Sequence, residues 1–86
     1  SVSPWYLRLS VAEKPGVLAA ITKLLADESI SLATVSQNQP MGGSSEVGVV
    51  MTTHPTSAGA MSRALKKMHR LKVVKGQAKV LRIYAE

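Results

Sequence analysis

The chain has no cysteine and no phenylalanine, and only five acidic residues stand against eleven lysines and arginines in its 86 residues. Without cysteine there is no disulfide to staple the fold and no thiolate to hold a metal. The two histidines, His54 and His69, have no ligand-rich neighbourhood in the sequence, so no metal site is expected. The acids are scattered as Glu13, Asp27, Glu28, Glu46 and Glu86, which sets up no carboxylate pair for acid–base work, and no serine lies in a nucleophile-elbow pattern. The sequence therefore offers no catalytic residue. Nor does any apolar run approach the roughly 20 residues that cross a bilayer, and Ser1-Val2-Ser3-Pro4 is not the basic start of a signal peptide. A cytoplasmic domain without membrane contact is the expectation.

What remains fits one compact domain spanning residues 1–86, with a core able to bury about 60 to 65% of the surface of the unfolded chain. Pro4 and the residues before it read as the end of a linker from something upstream. The net charge of +6 is placed unevenly, because Arg63, Lys66, Lys67, Arg70, Lys72, Lys75, Lys79 and Arg82 follow one another with no acid between them. Such a field attracts nucleic acid, or forms a solvated face toward an acidic surface of a partner domain. Residue type favours the second reading.

Two periods organise the chain. Trp5, Leu7, Leu9 and Val11 alternate with Tyr6, Arg8 and Ser10 as in a half-buried strand, and Val17, Leu18, Ile21, Leu24 and Leu25 then recur at helical spacing, predicting a helix over Pro15–Glu28 with proline at its first position. Ile30 and Leu32 restart a period of two that slips by one at Val35, which predicts an irregular second strand near Ala33 and Thr34. Gln39 to Ser45 form a breaker cluster suited to a hairpin connection, and Glu46 to Thr53 give a third strand with Val47, Val49 and Met51 buried. A second helix opens after Pro55-Thr56-Ser57, with Met61, Leu65 and Met68 as its apolar stripe, and a last strand is expected over Lys79–Ala85. Two helices cannot cover both faces of a four-stranded sheet in so short a chain. The fold class is thus α+β, a ferredoxin-like βαββαβ arrangement with an antiparallel sheet and both helices on one face. The second strand should be a sheet edge, and the open face should carry Val80, Tyr6 and Tyr84, so that a dimer would relieve both exposures.

One segment offers binding chemistry. At Glu13-Lys14-Pro15-Gly16-Val17 a strand gives way to a helix, whose first N–H groups and partial positive charge hold a carboxylate by backbone alone, while Gly16 lets a ligand or a neighbouring chain come close. Gly42-Gly43, by contrast, has no phosphate-loop context and reads as a turn.

The stretch Leu7-Arg8-Leu9-Ser10-Val11-Ala12-Glu13-Lys14-Pro15-Gly16-Val17-Leu18 resembles the opening of ACT domains. Ile30 to Gln37, and then Val49-Val50-Met51-Thr52-Thr53-His54, are similar to the ACT domain at the C-terminal end of homoserine dehydrogenases. The resemblance covers nearly the whole chain. It implies the βαββαβ fold, pairing of domains into a homodimer with a larger sheet, and allosteric binding of a small amino acid, threonine being the usual inhibitor. The ligand residues it implies are Glu13, Pro15, Gly16, Val17 and Leu18, with Ser31 and Gln37 from the same or the paired domain. It also implies an upstream catalytic domain that binds NAD(P), with no cofactor in this chain. The sequence departs from the family pattern twice: Glu13 replaces a common aspartate, and Ser29 replaces the glycine usual at the end of the first helix.

Two other functions use the same fold. A nucleic-acid module would need aromatic residues on the open faces of its first and third main strands; Tyr6 and Tyr84 could stack, but the third strand offers Gly48, Val50 and Thr52. A purely structural dimerisation domain would use the same residues as a sensor and is not separable from it by sequence.

Overall fold

A computed structural model describes residues 1–38 and 45–84 of the chain. In chain order the elements are β1 (Val2–Ser3), β2 (Trp5–Ala12), α1 (Val17–Asp27), β3 (Leu32–Gln37), β4 (Glu46–Thr53), β5 (Thr56–Ser57), α2 (Ala58–Met68) and β6 (Val74–Arg82). The main sheet is antiparallel with the order β3-β4-β2-β6, and β1 pairs with β5 in a two-residue ladder. This is the expected βαββαβ topology with both helices on one face, extended by the short β1–β5 ladder. Residues 1–4, read from the sequence as a linker end, supply β1. The expected hairpin of residues 39–45 lies outside the described residues except for Ser45.

The core forms where the two periods meet. Leu7, Leu9 and Val11 of β2 and Val47, Val49 and Met51 of β4 lie on the helix-covered face, against Val17, Ile21 and Leu25 of α1 and Ala60, Met61, Ala64 and Met68 of α2. Leu7, Ile21, Leu25, Val49, Met51, Ala64 and Met68 are fully buried. Burying each of the larger side chains contributes about 1.5 to 3 kcal/mol. Ala60 and Ala64 bring α2 close to its neighbours, while Leu65, assigned by spacing to the buried stripe, is only half-buried.

Both helices end for local reasons. Ser57, in an extended conformation, caps α2 by accepting the Ala60 amide at 3.1 Å. At the end of α1 the Ile30 amide donates to the Leu25 carbonyl at 2.9 Å and the Ser29 amide to the Ala26 carbonyl at 2.8 Å, a Schellman arrangement closed by burial of Leu25 and Ile30. That geometry puts Ser29 at φ 60, the left-handed conformation that the missing glycine would have adopted freely. An L-residue there costs about 1 to 2 kcal/mol.

Three sequence expectations need correction. Helix α1 starts at Val17, two residues after Pro15, because Gly16 is its N-cap at φ 86 and cannot belong to a right-handed helix. The last strand starts at Val74 and ends at Arg82, earlier than Lys79–Ala85 at both ends, and Ile83 and Tyr84 lie outside it. Its early half was hidden by a bulge: between the pairs Arg8↔Lys79 and Ser10↔Lys75, β6 carries two more residues than β2, with Gly76 at φ 70. Finally, Val80 faces the helices and packs on the core, whereas Leu81, paired with Tyr6 and 64% exposed, takes its place on the open face. The slip expected near Ala33 and Thr34 is present as a register shift between Leu32 and Thr34, and β3 is a sheet edge.

The basic second half is partly spent inside the domain. Glu28, at the end of α1, accepts from Arg63 Nε at 2.8 Å and from Lys67 Nζ at 2.5 Å, clasping the two helices together. The hydrogen bond from Lys67, followed by that from Arg63, holds the Glu28 carboxyl below its ordinary value of 4.5. A lowered carboxyl contributes stability that is present above its unfolded-state value and is lost as pH falls through the folded one. Unfolding of wild type and Glu28→Gln across acidic pH should therefore show a stability gap at neutral pH that closes below about pH 4.5. A gap independent of pH would mean that the clasp acts by packing alone.

Candidate functional site

Strand β2 delivers the chain to the start of α1 through a loop tied on two sides. The Ala12 amide donates to the Val73 carbonyl at 2.8 Å, just before β6, and the Glu13 amide donates to the Ser45 carbonyl at 2.8 Å, just before β4. Glu13, Lys14, Pro15 and Gly16 are all exposed, but Val17 is buried and Leu18 packs on the core, so the loop sits on a fixed base. Left-handed Gly16 lets the chain turn into the helix without a side chain at the corner. A Cβ at Gly16 would meet nothing within 4 Å, so the space beside it is open.

The start of α1 is uncapped. Among the described residues no side chain accepts a hydrogen bond from its first turn, and no acidic residue lies in that turn. The first backbone bond of the helix is from the Ala20 amide to the Gly16 carbonyl at 3.0 Å, which leaves the amides of Leu18 and Ala19 without an acceptor among the described residues. Two N–H groups at the positive end of an 11-residue helix thus lie next to Gly16, beside which the space is open. A helix starting at Pro15, as the sequence predicts, would instead have its first free amides at Gly16 and Val17. A glycine preceded by proline, with the apolar period resuming at Val17, was the signal for the later start.

Of the other residues assigned to the site, Gln37 lies at the same end of the sheet as this loop. It pairs with Val49, and the Asn38 amide next to it donates to the Gly48 carbonyl at 2.9 Å, near where β2 passes into the loop. Gln37 shares the helix-covered face with buried Val49 but is itself exposed at the sheet edge. Ser31 lies at the other end of β3, where its carbonyl accepts the His54 amide at 2.8 Å. At about 3.3 Å per residue it is roughly 20 Å from Gln37. Within one chain the structure gathers Glu13, Pro15, Gly16, Val17, Leu18 and Gln37 at one end and leaves Ser31 at the opposite one.

Other chemistry is sparse. Among the described residues no three His, Asp or Glu side chains converge as metal ligands, and no helix is long and apolar enough to cross a membrane. The open face of the middle strands presents Tyr6, Arg8 and Ser10 beside Thr52, Val50 and Gly48, which includes one aromatic ring and no stacking platform.

The family model described as ACT domain matches residues 5–73. A homoserine dehydrogenase of Methylobacillus glycogenes is 35% identical over 81 residues, covering 94% of this chain and 20% of that protein. Among solved structures, a homoserine dehydrogenase from Thiobacillus denitrificans superposes with a TM-score of 0.84 at 34% identity, over 95% of this chain and 17% of that one. The ACT domain from GTP pyrophosphokinase of Chlorobium tepidum superposes with a TM-score of 0.73 at 14% identity, over 94% of this chain and all of that one, a likeness of fold. The chain spans about a fifth of the length of the curated relatives it matches. Matched by the family model from the first residue of β2 to the turn before β6, the chain belongs to the ACT domain family.

Proposed function

We propose that this chain is the effector-binding regulatory domain of a homoserine dehydrogenase, with a small amino acid, threonine, as its ligand. The observation that carries the reading is the uncapped start of α1, where the Leu18 and Ala19 amides have no acceptor among the described residues and the space beside left-handed Gly16 is open. A carboxylate there completes the helix end and meets its partial positive charge. The similarity to homoserine dehydrogenases over more than nine-tenths of the chain supports the parent enzyme. Binding of NAD(P) and turnover belong, on this reading, to an upstream catalytic domain, and the chain is non-catalytic by itself.

The domain works as a homodimer paired through β3. That strand is a sheet edge exposed from Ala33 to Gln37, and it contains neither proline nor charge, the usual guards of a free edge. Antiparallel pairing of two copies about a twofold axis at Thr34 places residues whose numbers sum to 68 opposite one another. Ser31 then lies opposite the partner's Gln37. Each ligand site would combine the start of α1 and Gln37 of one copy with Ser31, just before β3, of the other.

Val35, 42% exposed on this edge, is the place to test pairing. Val35→Lys should turn a dimer into a monomer by light scattering and remove threonine binding measured by calorimetry, with the monomer still folded. A wild-type monomer at about ten micromolar, or undiminished binding in a monomeric variant, would contradict the paired site.

A further inference from the structure

We propose a second ligand site on the opposite side of the sheet, a depression between Arg8 and Lys79 that takes a small molecule bearing a carboxylate or phosphate group. It is independent of the site at α1. The depression has a volume of about 320 Å³, near the lower end for small-molecule sites, and its rim includes Arg8, Ser10, Asn38, Gln77 and Lys79.

Two backbone features make it. Gly48 is one of its lining residues and puts no side chain into it, and a Cβ there would lie 3.2 Å from Asn38 Nδ2, so the glycine gives the Asn38 side chain room over β4. On the other side the bulge of β6, with Gly76 at φ 70, separates Lys75 from Lys79 by two extra residues and brings Gln77 to the rim. An ordinary residue at position 48 would put a side chain into the depression, and a regular ladder would lack the two extra residues of β6.

Its chemistry is that of an anion site. Arg8 and Lys79 are directly opposed across neighbouring strands, a like-charged pair that disfavours the sheet, and neither forms an ion pair among the described residues. Asn38 and Gln77 add amide donors. Ser10 is committed differently, since its hydroxyl donates to Glu46 Oε1 at 2.7 Å. An anion between Arg8 and Lys79 would relieve their repulsion, and the arginine fork suits the two oxygens of a carboxylate or phosphate.

The test is an amide-resolved NMR titration of the chain with succinate and, separately, inorganic phosphate, using neutral succinamide as control. Saturating shifts centred on Arg8, Asn38, Gly48, Gln77 and Lys79, half complete at about 1 mM or below and absent with succinamide, are the expected result. Whichever anion binds more tightly names the group the site prefers. In the Arg8→Gln, Lys79→Gln double variant, folded by the same spectrum, the affinity should fall at least tenfold. The proposal is overturned if the shifts do not saturate, if Lys66, Arg70 and Lys72 respond equally, or if the variant binds as well as wild type.

Discussion

Truncating Trp5 to alanine will cost the domain about 3 kcal/mol, enough to lower the melting temperature by more than about 10 °C in a chain of this size. Trp5 opens β2 and ties three parts of the fold together. Its amide donates to Thr53 Oγ1 at 3.0 Å, its indole Nε1–H donates to the Thr56 carbonyl at 3.1 Å, and the Arg82 guanidinium lies 4.4 Å above its ring. Arg82 reaches on to Ser3 Oγ at 2.8 Å, and the Ile83 amide donates to the Pro4 carbonyl at 2.9 Å. Alanine keeps the backbone bond but removes the indole bond, the cation–π contact and the apolar body of the ring. Trp5→Phe keeps an aromatic face under Arg82 but loses the indole bond and part of the ring, for which about 1 to 2 kcal/mol is expected. Urea or thermal unfolding of the two variants checks this, and a Trp5→Ala melting point within a few degrees of wild type would show that the latch is dispensable. The same latch holds β1 against β5, whose Ser57 caps α2, so loosening it should fray the start of that helix first.

Ala19→Glu is expected to separate binding from stability. Ala19 is exposed at the third position of α1, and its amide is one of the two without an acceptor. A glutamate there meets the positive end of the helix and gains about 0.3 to 1 kcal/mol, which offsets its slightly poorer helix propensity. Ligand-free stability should hold or rise. A bound carboxylate would instead face a like charge about 5 Å away, a repulsion on the order of 3 kcal/mol at an effective dielectric near 20. Threonine affinity should drop at least tenfold, about 1.4 kcal/mol, whereas the uncharged Ala19→Gln should bind within about threefold of wild type. Calorimetry with threonine, alongside thermal unfolding, reads both quantities. Equal affinity in all three proteins would mean that no carboxylate sits at this helix start.

The conformation of Gly16 decides why Ala19 is the better probe. On helix propensity alone Gly16→Val looks harmless, since valine is a better helix former than glycine. At φ 86, however, a β-branched side chain is strained at the N-cap, so lost binding in that variant would be mixed with lost structure.

What was legible in the sequence followed from regular periods. Leu7, Leu9 and Val11, then Val47, Val49 and Met51, alternate cleanly and face the core, and Val17, Ile21 and Leu25 mark the buried stripe of α1. Two glycines account for most of what was misread. Gly16 lies where a proline-initiated helix seems to begin, and its left-handed backbone moves that start by two residues; Gly76 interrupts the apolar pattern of β6, where a bulge keeps the strand continuous. Side-chain pattern shows neither, because glycine has no side chain to carry one. For Ser31 and Gln37 the resemblance left open whether one domain or two supply them, because periodicity within one chain carries nothing about pairing between two.

The central claim is that an amino acid binds at the start of α1. Titrating the chain with threonine while following its backbone amides tests it most directly. Saturable shifts should be largest at Gly16, Val17, Leu18 and Ala19, with Ser31 and Gln37 moving in step and the open-face residues Arg8, Gly48 and Lys79 unaffected. Amides of α1 that stay still through about 10 mM threonine, far above the concentration a regulatory site would need, would contradict it.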